Sequence, residues 1–171
     1  DLIYPTAGDE IDFYAYYPYK SGIDPLELPV SSKEDQSIGS NYKSSDYLLA
    51  KAENGYTHRN TQVNMVFEHI MGRIEVIIDR EGNDVITSAK IAKKSIDQTC
   101  DIQRWSYHRS STEKEITMLL QEETSSRYVF LALVPSATYF QPSKDTFYFN
   151  LANGSTKKYV SQMVALYANA G

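Results

Sequence analysis

Apolar and polar residues alternate over most of this chain, and the alternation predicts β-strands. Residues 11–19 hold five aromatic side chains and end beside Pro18, which stops a sheet ladder, so this segment is predicted as a strand. Polar breaks separate the other predicted strands, which are residues 85–93, 100–108, 114–121, 127–134, 145–151 and 156–163. This spacing is typical of a β-sandwich or a β-barrel.

Two short stretches carry the most specific strand signals. Residues 128–134 are apolar at every position and are followed by Pro135, which predicts a central strand buried on both faces. Residues 152–155 read Ala-Asn-Gly-Ser between two alternating runs, which predicts a β-hairpin.

A third stretch changes its apolar face without an obvious turn. Apolar residues occupy odd positions from Val63 to Met71 and even positions from Ile74 to Ile78. Because strand side chains alternate with a period of two, the change requires one extra residue, and Gly72 stands where a β-bulge would supply it. One long bent strand and two strands meeting at a corner both satisfy this pattern.

The remaining segments are less regular. Residues 20–45 are rich in Ser, Lys, Asp, Gly and Pro and are predicted as a surface loop or linker. Residues 46–54 carry an apolar run between Asp46, a candidate N-cap, and Gly55. A two-turn helix suits this run, an extended connector fits almost as well, and the pattern leaves the choice open.

Composition and charge narrow the class of protein. The 171 residues accommodate one large domain, or one sandwich and part of another. The chain is 42% hydrophobic and 23% charged, as in a globular protein, and its 14 tyrosines favour β structure. The net charge of −5 argues against nucleic acid as a partner, because such binding depends on Lys and Arg at phosphates.

The ends of the chain give no targeting signal. There is no run of about 18 apolar residues to span a membrane and no basic-then-apolar signal peptide. The sequence starts at Asp1 without an initiator Met and stops at Gly171 just after an apolar run, so both ends look cut. We therefore expect a fragment of a longer, two-domain protein.

Candidate ligand residues are few. The single cysteine, Cys100, can form no internal disulfide and is expected to be a small, half-buried side chain. His58, His69 and His108 lie too far apart for a local metal motif. His69 continues the apolar face of Phe67, so it is expected to be half-buried beside the bulge and bonded to backbone groups. No metal or cofactor is predicted.

Known catalytic patterns are missing from the sequence. Residues 79–84 contain oxygen ligands and a glycine, but they lack the ligand order and closing Glu of an EF-hand, so a hairpin turn is favoured over a calcium site. There is no Gly-x-Ser-x-Gly, His-Glu-x-x-His, Gly-x-Gly-x-x-Gly or P-loop. The sequence therefore offers no support for an enzyme.

The tyrosines near the N-terminus permit two interpretations. A row of aromatic faces could stack on sugars, but Phe13 and Tyr17 fall on one face of the predicted strand while Tyr14 and Tyr16 fall on the other. Core and interface packing is the simpler interpretation.

Three blocks in a fixed order resemble the fimbrillin family of Bacteroidetes. They are Asp-Phe-Tyr-Ala-Tyr-Tyr-Pro-Tyr at residues 12–19, Ser-Asp-Tyr-Leu-Leu-Ala at residues 45–50, and the apolar pattern at residues 63–76. Tyr4 with Pro5 precedes them, and weaker matches are Val134 with Pro135 and Ala170 with Gly171. The positions that carry the resemblance are Phe13, Tyr16, Tyr17, Pro18, Tyr19, Asp46, Leu48, Leu49, Phe67, His69, Gly72 and Ile74.

The resemblance implies an exported, outer-membrane lipoprotein built of two antiparallel β-sandwiches of transthyretin-like topology, acting as stalk, anchor or tip of a surface fimbria. Residues 1–54 would belong to the N-terminal sandwich and residues 55–171 to the C-terminal one. The implied partners are other fimbrial subunits, joined by donor-strand insertion at an open sheet edge, and host or bacterial surface ligands. The chain departs from the family by lacking the lipid-bearing Cys and the processed N-terminal segment.

We therefore expect an all-β, non-catalytic cell-surface subunit or adhesin that assembles by strand exchange. The alternative is a surface glycan-binding module, which would require coplanar, exposed aromatic rings with polar groups at their edge. An enzyme would require a cleft with paired carboxylates or a liganded His.

Overall fold

The computed structural model describes residues 9–57, 59, 62–80, 82–136, 138–140, 144–160 and 166–168. The strands are β1 (Ile11–Tyr17), β2 (Leu28–Ser31), β3 (Leu48–Tyr56), β4 (Glu68–His69), β5 (Met71–Asp79), β6 (Ile86–Ser95), β7 (Asp97–Asp101), β8 (Ser106–Arg109), β9 (Glu113–Thr117), β10 (Leu119–Glu123), β11 (Arg127–Pro135), β12 (Thr138–Phe140), β13 (Asp145–Leu151), β14 (Thr156–Val160) and β15 (Leu166–Ala168). A helix, α1, spans Gly39–Ser44, and a 3-10 turn spans Pro25–Glu27.

Every pairing between these strands is antiparallel, so the expected all-β sandwich fold is confirmed. Some features named above lie outside the described residues. They are Tyr4 with Pro5, His58, position 81 in the predicted turn at residues 79–84, the end of a predicted strand at residues 161–163, and Ala170 with Gly171.

The first core lies between two sheets, one ordered β10-β11-β5 and the other β14-β13-β6-β9. Its buried members are Ile74, Ala89, Ile91, Ile96, Ile116, Met118, Tyr128, Phe130, Ala132, Val134, Phe140 and Phe147. β11 is the central strand of its sheet, and its residues from Tyr128 onward are all buried. The central strand predicted from the unbroken apolar run is therefore confirmed.

The second core lies against two smaller sheets, ordered β1-β3-β4 and β2-β7-β8. Its buried members are Leu28, Val30, Tyr47, Leu49, Ile70, Met71, Cys100, Ile102 and Leu133. These residues come from both sides of residue 54. In the same way, β2 precedes residue 54 and pairs with β7, which follows it. The division into sandwiches at residues 54 and 55 stays a prediction.

The loop or linker expected at residues 20–45 is wrong for two segments. Leu28 and Val30 are buried and flank Pro29 in β2, which is an edge strand, so the missing N–H of Pro29 is tolerated. The helix α1 contains no buried residue, which explains why no apolar periodicity marked it.

Of the alternatives for residues 46–54, the extended one is correct, since β3 begins at Leu48.

Two predicted strands are each interrupted. Residues 114–121 divide between β9 and β10 at Met118, and residues 100–108 divide between β7 and β8. The second break has a local cause, because the Asp101 carboxylate accepts the amide hydrogens of Gln103 and Arg104 at 2.9 and 3.0 Å and closes a turn.

The change of face near Gly72 arises from a corner, so the second alternative for this stretch is correct. β5 pairs with β11 through Gly72 without a register shift, and the predicted bulge at this glycine is wrong. The break falls instead at Ile70, whose N–H donates to the Tyr47 carbonyl at 3.0 Å. Ile70 and Met71 are both buried because the chain turns between β4 and β5. Residues 62–67 are not a strand.

The two predicted hairpins have different outcomes. The hairpin at residues 79–84 is wrong, because β5 and β6 belong to different sheets and the chain crosses between them here. The hairpin at residues 152–155 is confirmed, since β13 pairs with β14. Gly154 supplies the left-handed conformation of this turn with a φ of 82°.

Candidate functional site

The three sequence blocks that were singled out come together in one small sheet. Tyr17 of β1 lies opposite Leu48 of β3, and Leu48 lies opposite His69 of β4. Tyr16 in turn lies opposite Leu49, which is fully buried in the second core. Segments that are distant in sequence therefore meet at one corner of the molecule.

The aromatic residues of β1 do not form a row of exposed rings, although the structure describes this strand in full. Tyr14 and Tyr16 are half-buried against the second core. Phe13 packs edge to face on Tyr56 with ring centroids 5.7 Å apart. Only Tyr17 is exposed at the end of the strand, with Tyr19 exposed beyond Pro18. This arrangement gives no flat platform for a sugar on β1.

The other predicted positions have varied surroundings. Phe67 is exposed outside any strand, whereas Ile74 of β5 is buried in the first core. His69 is wrongly predicted, since its side chain is 57% exposed and its Nδ1 lies 2.8 Å from Asp46 Oδ1. A carboxylate, and not a backbone group, is its partner.

Cys100 is also wrongly predicted, because it is fully buried and not half-buried. Burial raises the pKa of its thiol to about 12, and the nearby Asp101 carboxylate adds to the rise. A thiol in this environment is a packing group and not a nucleophile. Within the described part of the chain, no three His, Cys, Asp or Glu side chains are grouped to hold a metal ion, and no helix is long and apolar enough to cross a membrane.

An apolar depression lies along β5. It has a volume of about 550 Å³ and separates β5 from β13 and β14 at one side of the first core. Its lining residues are Ile74, Glu75, Val76, Ile77, Ile78, Asp79, Phe140, Thr146, Phe147, Phe149 and Tyr159. We call this depression the β5 groove.

The outer edge of β5 forms one wall of the β5 groove. Among the described strands, β5 pairs only with β11. The Arg80 N–H donates to the Ser126 carbonyl at 2.8 Å. This bond identifies which residues of β5 direct their backbone groups towards β11. Because hydrogen-bonded pairs alternate in antiparallel sheets, the backbone groups of Glu75, Ile77 and Asp79 point away from β11. β5 thus directs a row of backbone donors and acceptors along the groove.

Aromatic rings form the opposite wall. Phe147 lies 6.5 Å from Phe149 and 6.2 Å from Tyr159, measured between ring centroids. Tyr159 is 50% exposed, and Ile77 on the β5 side is 54% exposed. The sequence predicted the apolar alternation of both walls, but it gave no sign that a groove would remain between them.

Comparison with known proteins gives a consistent result. A family model described as fimbrillin-like matches residues 1–166. The fold is similar to that of a proposed cell adhesion protein from Bacteroides uniformis, with a TM-score of 0.69 and 19% identity over 97% of this chain and 67% of that one. A second proposed cell adhesion protein, from Bacteroides ovatus, gives a TM-score of 0.70 and 14% identity over 97% of this chain and 61% of that one.

The chain thus spans about two thirds or less of the length of these solved structures. At such identities the likeness concerns the fold alone. No curated protein matches the chain.

Proposed function

Because the chain belongs to the fimbrillin-like family, we propose that it is part of a fimbrial subunit or adhesin that assembles by accepting a β-strand from a neighbouring subunit. The β5 groove is the acceptor in this proposal. The protein is exported and acts at the cell surface in association with the outer membrane. Its role is structural and adhesive, without catalysis.

The observation that carries the proposal is the coincidence of a sheet edge with an apolar groove. An edge strand offers unpaired N–H and C=O groups, which a strand of another chain can satisfy by β-augmentation. Along β5 the groups that point away from β11 belong to Glu75, Ile77 and Asp79, which pair with none of the described strands although β15 lies near β5. They border the apolar side chains of Val76 and Phe149.

The groove also defines the chemistry of the incoming strand. From Ile74 to Ile78 the edge measures about 13 Å at the usual rise of a strand. A strand laid along it directs every second side chain towards Phe147 and Tyr159 and the intervening ones towards solvent. The donor therefore carries two or three apolar residues at alternate positions.

The proposal is tested with a fluorescent peptide of alternating Val and Thr between terminal lysines, added to the whole chain. We expect the amide hydrogens of Glu75, Ile77 and Asp79 to exchange fast in the free protein and slowly with peptide. The amides of Val76 and Ile78, which face β11, stay protected in both states.

Two variants at Ile77 give a matched comparison. Ile77→Pro removes one edge N–H and should abolish peptide binding, since Pro is tolerated at the outward position of an edge strand but cannot donate. Ile77→Ala keeps the N–H and should retain binding. Equal anisotropy titrations for the two variants, or no added protection of β5 by the peptide, contradict the proposal.

A further inference from the structure

A second depression lies at the corner where the three sequence blocks meet and shares no lining residue with the β5 groove. It has a volume of about 330 Å³. Its lining residues are Tyr42, Asp46, His69, Met71, Arg73 and Leu133. They come from α1, the connection to β3, β4, β5 and β11, so five parts of the chain define it. We call it the corner pocket.

The pair Asp46 and His69 gives the corner pocket a defined acceptor. Their atoms Oδ1 and Nδ1 are 2.8 Å apart. Because a carboxylate can only accept, Nδ1 carries the hydrogen, and Nε2 of the neutral imidazole is left as an acceptor. The exposed side chain of His69 offers this nitrogen to a ligand.

Tyr42 and Arg73 supply hydrogen-bond donors. Burial raises the pKa of Tyr42, so its hydroxyl stays protonated at neutral pH, and no described residue is a hydrogen-bond partner of that hydroxyl. Arg73 Nη2 donates to Glu75 Oε2 at 2.7 Å, and a guanidinium has further N–H groups beyond that bond.

Apolar side chains complete the pocket, and its charges do not favour an anion. Met71 and Leu133 lie at its buried side, where both are less than 6% exposed. Arg73 offsets the charge of the nearby Glu75, and Asp46 keeps its negative charge beside a neutral His69, so the pocket has no excess of positive charge to attract an anion. A few convergent polar groups against an apolar surface are typical of small-molecule sites.

We propose that the corner pocket binds a neutral saccharide. Sugar hydroxyls both donate and accept, which matches Nε2 of His69 and the donors of Tyr42 and Arg73, while the C–H face of the ring packs on the apolar side. An acidic sugar would bring a charge towards Asp46 and Glu75. This ligand site gives the chain an adhesive contact that does not depend on strand uptake at the β5 groove.

The proposal is tested by saturation-transfer NMR with the whole chain and the methyl glycosides of galactose, glucose, mannose, fucose, N-acetylglucosamine and N-acetylgalactosamine, beside N-acetylneuraminic acid. We expect saturation of at least one neutral glycoside. His69→Ala and Tyr42→Phe should each weaken its binding about tenfold or more. His108→Ala, which changes an exposed histidine on β8, should leave binding unchanged.

Other results overturn the proposal. They are saturation of no neutral glycoside, binding of N-acetylneuraminic acid alone, and equal binding by the His69 and His108 variants. Thermal unfolding of each variant verifies that a loss of binding is not a loss of fold. Ile77→Pro should keep saccharide binding while losing peptide binding, so failure at the corner pocket and failure at the β5 groove are separate results.

Discussion

The side-chain amide of Gln36 replaces a strand neighbour for the backbone of Leu133. Gln36 Nε2 donates to the Leu133 carbonyl at 2.7 Å, and its Oε1 accepts from the Leu133 N–H at 2.8 Å. β10 stops pairing with β11 at Leu131, so no described strand pairs with this stretch of the β11 edge. The Ser32 hydroxyl donates to the same carbonyl at 3.0 Å. One buried glutamine thereby extends the sheet and ties residues 32–36 to it.

Replacing Gln36 with Leu should destabilise the protein by about 1 to 3 kcal/mol, because it leaves the buried N–H and C=O of Leu133 without this partner. Urea unfolding followed by tryptophan fluorescence measures the loss. Gln103→Leu is the control, since Gln103 is exposed in a turn. A loss no larger than that of the control would show that the Gln36 amide is not needed to satisfy β11.

The hairpin between β13 and β14 depends on the conformation of Gly154. Gly154→Ala should cost about 1 to 2 kcal/mol, which is the penalty of a Cβ in the left-handed region. No atom lies within 4 Å of the added Cβ, so the cost is one of backbone conformation and not of a clash. Gly154→Asn should cost less, because Asn visits this region more readily. Equal urea midpoints for the two variants would contradict this account.

Asp101 organises the turn between β7 and β8. Its carboxylate accepts the amides of Arg104 and Gln103, and the Arg104 guanidinium adds a bond of 3.0 Å. The hydrogen bond from the backbone N–H of Arg104 is the main cause that holds the pKa of Asp101 below its ordinary value. Its contribution to stability is therefore present at neutral pH and is lost as the pH falls through the lowered pKa.

Asp101→Ala should lower the urea midpoint at pH 7, and the difference from the unmodified chain should shrink in acid. Asp12→Ala, which changes an exposed side chain of β1, should do neither. A pH-independent difference would mean that the Asp101 carboxylate acts through packing alone.

The protein should lose stability in alkali because two groups, the buried Cys100 and the half-buried Tyr107, keep their protons in the folded state. Burial raises the pKa of Cys100 from 9.0 to about 12 and that of Tyr107 from 10.0 to about 12. Above pH 9 the unfolded chain releases protons that the folded chain retains, so the free energy of unfolding falls as the pH rises, by at most about 1.4 kcal/mol per pH unit for each group.

Cys100→Ala should flatten this decline between pH 9 and 12, as measured by urea unfolding at several pH values. Tyr107→Phe should flatten it only above pH 10. A native thiol that reacts with Ellman's reagent at pH 8 without denaturant would show that Cys100 is less enclosed than the structure indicates.

The parts of the fold that could be predicted are those whose signal is local. Residues 128–134 are apolar throughout because their strand is enclosed, and Gly154 marks a tight turn. β2 could not be predicted, because its two core residues, Leu28 and Val30, are too few to show a periodicity. Pro29 also argues against a strand unless the edge position is known. The break after Asp101 depends on hydrogen bonds made by its side chain, and strand propensities of single residues do not describe such bonds.

The candidate sites were less predictable than the fold. The alternation of Ile74, Val76 and Ile78 indicated an apolar face, but only the strand order shows that β5 is an edge. Periodicity placed His69 on the apolar face of Phe67, whereas the corner at Ile70 turns it towards Asp46. Pairing between distant segments decided both outcomes, and such pairing leaves no local trace in the sequence.

β11 contributes to both cores, through Phe130 and Val134 to the first and through Leu133 to the second. A tensile load carried along a fimbria would therefore reach both cores through the same strand. Its ladder with β5 runs from Arg127 to Pro135 without interruption, so shear along β11 must break many hydrogen bonds together. In single-molecule stretching, we expect the two cores to rupture in one event and not in sequence.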